Sequence, residues 1–217
     1  MSNELARIED LENLDIDKHT EEEWDAAASS NAFLPRLQLL TSNSAKCKSG
    51  EFSTNHYALI QDQKFDDLGK NIDVLLITWQ PKALETGDAI ISSYDPNSDE
   101  FQRIQKKASE RDSGCMYGPE FLVWIPAIKR FATFFMGTKT ARRESGNVKA
   151  LLKKAASLTS QECKNKKYTW YAPQVSECST PFDMPNKDEL LEACEQFNNP
   201  PKSDIEGVSE EEETRAR

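Results

Sequence analysis

The chain contains only two histidines, His19 and His56, among 217 residues. Histidine is the commonest acid–base and metal-binding side chain near neutral pH, so its scarcity leaves little scope for either kind of chemistry. The five cysteines include no Cys-x-x-Cys pair, and zinc motifs are therefore missing. We expect five reduced, mostly buried thiols. We also expect no metal and no other cofactor.

The motifs of phosphate-binding loops, dinucleotide-binding folds, serine hydrolases and zinc proteases are missing as well. The carboxylates Asp62, Asp66 and Asp73 could hold Mg²⁺ in a nuclease. The sequence QDQKFDDLG, which contains the first two of them, is more typical of a polar hairpin loop. We therefore expect a protein that is not an enzyme, and a metal-dependent nuclease is an alternative.

Long apolar runs are also lacking, since no stretch approaches the ~18 apolar residues of a membrane span. The N-terminus has no basic region followed by an apolar one, which is the pattern of a secretory signal. We therefore expect a cytoplasmic protein with no membrane partner.

Negative charge is concentrated at the two ends of the chain. The net charge is −8 for residues 1–30 and −3 for residues 198–217, out of −10 in total, so residues 31–197 are nearly neutral at +1. Both ends are poor in apolar residues, whereas the body is long enough for one domain with a full core. The sequence thus predicts an acidic N-terminal arm, one domain and a disordered acidic C-terminal tail.

The N-terminal arm carries apolar residues at roughly helical spacing: Leu5, Ile8, Leu11, Leu14 and Ile16. This spacing predicts a short amphipathic helix that docks on another surface. An acidic arm can occupy a basic groove of its own protein or recruit partners. The alternative is a tail that only adds solubility.

The body has the pattern of a strand-rich domain. Strands are predicted over 33–40, 57–60, 72–79, 90–94, 120–125, 129–136 and 168–175, and helices over 98–111, 140–159 and 187–197. Pro35 predicts an edge position for the first strand, and Pro81 predicts the end of the third. Because no helical crossover links two strands, we predict an α+β, mainly β fold: an OB-like small antiparallel barrel with inserted helices.

Positive charge and aromatic rings coincide in residues 128–171, which contain eleven basic and only two acidic residues. Cations that follow a phosphate backbone, beside rings on which bases stack, are the two requirements of single-strand binding. The alternative is a core segment followed by an ordinary solvated helix face. The predicted nucleic-acid-binding residues are Lys129, Arg130, Lys139, Arg142, Arg143, Lys153, Lys166, Lys167, Tyr168, Trp170 and Tyr171.

Within this segment, Gly137 would let a backbone approach a ligand closely. Lys139, Arg142 and Arg143 follow near a predicted helix N-terminus and are expected to contact phosphates. Trp170, which has tyrosines close by in the sequence, is the preferred stacking ring. Simple alternation places Trp79 in phase with the apolar residues of its strand and predicts a core position.

The layout resembles the single-stranded DNA-binding proteins of bacteriophages, the T7-like group in particular. It shares a body of OB size, a basic and aromatic stretch, and an acidic tail after Asn199-Pro200-Pro201. The resemblance implies a protein that coats and protects single-stranded DNA during phage replication or recombination in the host cytoplasm. It also implies that the tail competes with DNA and contacts replication or recombination proteins.

One departure concerns the end of the tail, Thr214-Arg215-Ala216-Arg217, which lacks the aromatic residue common in that family. Docking of partners through the extreme C-terminus is therefore left open. The main alternative to DNA binding is a phage accessory or inhibitor protein, a protein-interaction module whose acidic ends bind the partner.

Overall fold

The computed structural model describes residues 34–42, 44–62, 64–87, 90–110, 113–166, 169–178 and 183–200. The predicted N-terminal arm lies outside these residues, and so does the C-terminal tail beyond Pro200.

Strands in the described residues form one sheet with the order β3-β2-β1-β7-β6-β4-β8-β9, and β5 pairs with the end of β4. Every neighbouring pair is antiparallel except β1 and β7, which are parallel. The strands are β1 (Arg36–Leu39), β2 (Tyr57–Gln61), β3 (Lys64–Gly69), β4 (Ile72–Glu85), β5 (Ile91–Ser93), β6 (Cys115–Ile125), β7 (Arg130–Phe135), β8 (Ala155–Lys164) and β9 (Thr169–Glu177).

The same residues form four helices: α1 (Ala45–Lys48), α2 (Asp99–Lys107), α3 (Lys139–Ala150) and α4 (Lys187–Asn198). The last three begin at Ser98, Thr138 and Asn186, whose side chains each accept a hydrogen bond from a backbone N–H of the first turn. The predicted helices that begin near Ser98 and Asn186 are thereby confirmed. None of these helices is long and apolar enough to cross a membrane.

The sheet curls into a half-barrel, which confirms a mainly β fold with few helices. Its curvature brings β2, next to one edge of the sheet, close to β8, next to the other edge. The hydrogen bond from Tyr57 Oη on β2 to the carbonyl oxygen of Thr159 on β8, at 2.6 Å, shows this approach. Burial raises the pKa of Tyr57 above its ordinary value. The largest fully buried side chains of the inner core are Leu37, Leu59, Leu76, Phe121, Ile125 and Met136, together with Tyr57.

The outer face of the sheet is covered by α4. Leu75 and Ile77 on β4 alternate with inward residues and pack against Leu190 and Phe197 of the helix. Trp124 on β6 belongs to the same outer cluster, and its Nε1 donates to Asp183 O at 3.1 Å. The sheet therefore has an apolar core on both faces, and β4 contributes to each.

Strand β4 does not end at Pro81 as predicted but continues to Glu85. Pro81 lies opposite Pro119 in the ladder with β6. The carbonyl of Pro119 accepts from Met136 N at 2.9 Å, so the one backbone hydrogen-bonding group of Pro119 points away from β4. Two prolines can face each other here because neither position donates to the other strand.

Three further predictions about the elements are wrong. Residues 33–40 were expected at an edge, but β1 lies between β2 and β7, and the Pro35 carbonyl accepts from Thr133 N. The strand predicted over 120–125 begins too late, because β6 already starts at Cys115. The polar segment predicted as a hairpin loop is largely strand β3.

The predicted helix over 140–159 is too long. Helix α3 ends at Ala150, and residues from Ala155 onward form β8. The chain reverses at Lys153, which has a left-handed φ of 63° and donates its N–H to Leu76 O. Ala156 and Leu158 then face the inner core as alternate residues of a strand.

All five cysteines are free thiols. Cys115 and Cys194 are buried, whereas Cys47, Cys163 and Cys178 are half-buried, so the prediction of mostly buried thiols is wrong. Burial raises the pKa of Cys194 to about 11, which keeps this thiol protonated near neutral pH.

The open edges of the sheet carry features that disfavour pairing with another chain. The N–H of Val175 on the free edge of β9 donates to Glu144 Oε1 at 3.1 Å. Alternation places Pro173, which has no N–H, on the same edge. Pro81 likewise occupies the stretch of β4 between β8 and β5 that lacks a partner strand. These positions remove donors that an added strand would need.

We predict that the double variant Glu144→Ala/Pro173→Thr self-associates with increasing concentration, because it leaves the β9 edge with unpaired donors. Light scattering after size exclusion measures the mass over a concentration series. Gln174→Thr is the matched control, since its N–H points to β8 and not to the edge. Equal masses for all three proteins would contradict this role of the edge residues.

Helix α2 is held to the end of β4 by Glu85. Its carboxylate accepts from Arg103 Nη2 at 2.5 Å and from Lys107 Nζ at 3.0 Å. These two hydrogen bonds, that of Arg103 first, lower the pKa of Glu85 to about 2. A carboxyl with a lowered pKa in the folded state contributes stability above its ordinary pKa of 4.5, and this contribution is lost as the pH falls towards 2.

We therefore predict that Glu85→Gln lowers the unfolding temperature at neutral pH. The difference from the wild-type protein should shrink between pH 4.5 and about 2, because the wild-type carboxylate becomes protonated there. Thermal unfolding followed by circular dichroism over this range checks the prediction. Glu110→Gln, an exposed residue just beyond α2, serves as the control. A temperature difference independent of pH would contradict the assignment.

Candidate nucleic-acid interface

Helix α3 begins after β7 and lies against the inner face of the curled sheet. Thr138 Oγ1 accepts from Ala141 N at 3.2 Å and fixes its first turn. Ala141 and Val148 are buried in the inner core. Helical spacing places Lys139 and Arg143 on the opposite, exposed side. Two of the predicted phosphate contacts are thus available to solvent on one ridge.

Arg142, the third of these residues, is engaged in the fold. Its Nη1 donates to the carbonyl oxygens of Tyr117, at 2.8 Å, and of Gly137. Its guanidinium also lies 4.0 Å from the centre of the Tyr117 ring. Arg142 therefore joins α3 to β6, and its replacement would affect the fold as well as any ligand.

Lys149 lies two turns after Arg142 on the same side of α3. Its Nζ lies 3.3 Å from the centre of the Trp79 ring on β4. Trp79 is 39% exposed, so the prediction of a core position is wrong. Desolvation lowers the pKa of Lys149 from its ordinary value. An exposed ring with a cation over it is a surface suited to flat, anionic ligands.

A β-bulge explains why alternation misplaced Trp79. Leu76 pairs with Val123 and Thr78 with Leu122, so β4 has one extra residue, Ile77, at this point. The extra residue shifts the phase of every later side chain. Trp79 pairs with Phe121 of the inner core and faces the α3 side, instead of joining Ile77 under α4.

Close packing around the start of α3 depends on two glycines. A Cβ on Gly118 would lie 2.3 Å from Met136 O and 3.2 Å from Arg142 Cγ. A Cβ on Gly137 would lie 2.4 Å from Cε1 of the Phe135 ring. The close approach that we expected Gly137 to offer to a ligand is taken up by this ring.

We predict that Gly118→Ala destabilises the protein by about 1–3 kcal/mol, because the backbone of Met136 must move. Gly146→Ala in α3 is the matched control: its Cβ would meet nothing within 4 Å. It should instead stabilise the fold by roughly 0.5–1 kcal/mol, since alanine is the better helix former. Urea unfolding measures both changes, and similar signs for the two variants would contradict the packing argument.

Lys129 and Arg130 lie apart from α3, at the start of β7. Lys129 Nζ is 3.4 Å from Asp183 Oδ2, and the Arg130 guanidinium donates to Gln61 Oε1. Strand β7 separates them from Lys139 by roughly 17 Å at the usual rise per residue. The basic segment of the sequence is therefore not one continuous groove.

The remaining predicted residues divide in the same way. Lys153 follows α3 and its backbone is hydrogen-bonded to Leu76, three residues from Trp79. Lys166 is exposed beyond the far end of β8, roughly 30 Å along that strand. Lys167 and Tyr168 lie outside the described residues.

The two aromatic candidates on β9 are less accessible than expected. Trp170 is half-buried, and its Nε1 is buried without a hydrogen-bond partner in the described structure. Tyr171 packs against the inner core. Trp79 is thus the ring that combines exposure with neighbouring cations.

We call the set Trp79, Lys139, Arg143, Lys149 and Lys153 the Trp79–α3 face.

The acidic candidates form no comparable cluster: Asp73 accepts from Ser157, whereas Asp62 and Asp66 are exposed around the β2–β3 turn. Within the described ranges, no three His, Cys, Asp or Glu side chains are grouped to hold a metal ion.

Comparison with models of known families, with curated proteins and with solved structures gives no match to this chain.

Proposed function

We propose that this chain is a non-catalytic single-stranded DNA-binding protein and that the Trp79–α3 face is its binding surface. The observation that carries the proposal is the exposed Trp79 ring beneath the Lys149 ammonium, at the end of a helix whose ridge presents Lys139 and Arg143. Bases can stack on such a ring while the cations contact phosphates. Along α3, Lys139 and Lys149 are about 15 Å apart, which corresponds to a few nucleotides.

The proposal includes an OB-like barrel as the scaffold. Its support is the curl of the sheet, which lets Tyr57 reach Thr159, and the position of α3 against the inner face. The chain would coat and protect single-stranded DNA during phage replication or recombination, with its acidic tail modulating binding and partners. Because the contacts are to backbone and ring faces, we expect little sequence preference.

We predict that Lys139→Glu/Arg143→Glu weakens binding of oligo-dT and lowers its salt dependence by about 0.7 for each lost phosphate contact. Fluorescence anisotropy at several salt concentrations measures both quantities. Lys48→Glu/Lys70→Glu makes the same charge change at exposed lysines on α1 and before β4, and should keep the wild-type salt slope. An equal effect of the two double variants would sink the phosphate role of α3.

We predict that Trp79→Ala costs about 1–3 kcal/mol of binding free energy if one base stacks there, with an almost unchanged salt slope. Trp79→Phe keeps a ring and should retain part of this affinity. Matched duplex and oligo-U, titrated beside oligo-dT, establish the preference for single-stranded DNA. If no nucleic acid binds at low salt, the proposal fails and the protein-interaction module becomes the leading function.

A further inference from the structure

The Trp79–α3 face matches the chemistry of the chain's own first thirty residues. These residues carry a net charge of −8 and a row of apolar side chains: Leu5, Ile8, Leu11, Leu14 and Ile16. A complementary surface must offer an exposed apolar contact among unpaired cations.

Large apolar side chains that are exposed within the described residues are Trp79, Ile90 and Leu191. Leu191 lies on α4 between exposed carboxylates, with Asp188 on one side and Glu192 on the other, and would repel an acidic segment. Ile90 adjoins β5, where the nearby cations of α2 are already bound to Glu85. Of the three, Trp79 has Lys149 against its ring, and this cation has no carboxylate partner among the described residues.

The reach of the chain permits this contact. If residues 5–16 dock, residues 17–33 connect them to the described domain and can span roughly 55–60 Å when extended. A domain of this size has a radius of gyration of ~15 Å. Because the contact is intramolecular, the effective concentration can approach the millimolar range, and a weak interaction is enough to populate it.

We propose that residues 1–30 dock on the Trp79–α3 face of the same chain, with the apolar row against Trp79 and the carboxylates near Lys139, Arg143 and Lys149. The docking itself does not depend on DNA binding. Its consequence, that nucleic acid must displace the arm, rests on the proposed function. The docked arm would then favour ligands with many phosphates over isolated anions. Only a ligand with many phosphates can replace all the contacts between the arm and the Trp79–α3 face.

Zero-length carbodiimide cross-linking of the full-length monomer, followed by mass spectrometry, tests the docking without DNA. We expect amide bonds between carboxylates of residues 1–30 and Lys139, Lys149 or Lys153, and their loss at high salt. The variant Glu9→Gln/Asp10→Asn/Glu12→Gln/Asp15→Asn should lose these links even at its remaining carboxylates. Glu210→Gln/Glu211→Gln/Glu212→Gln/Glu213→Gln removes as many charges from the C-terminal tail and should retain them.

Cross-links from the arm mainly to distant lysines such as Lys48 and Lys70, or links to α3 from the tail alone, would overturn the docking.

Oligo-dT titration of the same variants separates the two proposals. The arm variant should bind several-fold more tightly at low salt than the wild-type protein. Links to α3 without any binding of oligo-dT would support the docking and reject DNA binding. Equal affinities of wild type and variant would reject displacement.

Discussion

The pairing of β4 is the constraint on which the rest of the structure depends. This strand pairs with three others, whereas each other strand in the described residues pairs with one or two. Its residues up to and including the bulge serve both cores, with Val74 and Leu76 inside and Leu75 and Ile77 under α4. The bulge then turns Trp79 towards α3. Burial on both faces fixes this register, because a slip of one residue would exchange the side chains that fill the two cores.

The cations of the protein are divided between the fold and the surface. Arg142 and Arg143 are neighbours on one helix, yet successive residues differ by about 100° around its axis. Arg142 therefore meets the carbonyls of Tyr117 on β6 and of Gly137 between β7 and α3, while Arg143 faces solvent. On the other side of the sheet, Lys82 pairs with the buried Glu120 at 2.7 Å. Although burial alone would lower it, this carboxylate holds the pKa of Lys82 above its ordinary value.

The body is nearly neutral in total but polarised in space. Cations without carboxylate partners collect along α3, whereas α4 on the outer face presents Asp188, Glu189, Glu192 and Glu195. A nearly neutral sum thus conceals a surface with two signs. Ligands with opposite charge are guided to different faces, and this effect weakens as salt rises.

Sequence pattern alone determined the elements with local causes: the capped helices at Ser98 and Asn186, and the alternating strands of a mainly β domain. It also located the cation-rich segment. It could not determine which of those cations meet in space, because strands β7 and β8 carry Lys129 and Lys166 away from α3. Nor could it reveal Trp79, since the extra residue at Ile77 is fixed only when both sheet faces are packed. Local propensity is written in neighbouring residues, whereas strand register is decided by contacts between distant ones.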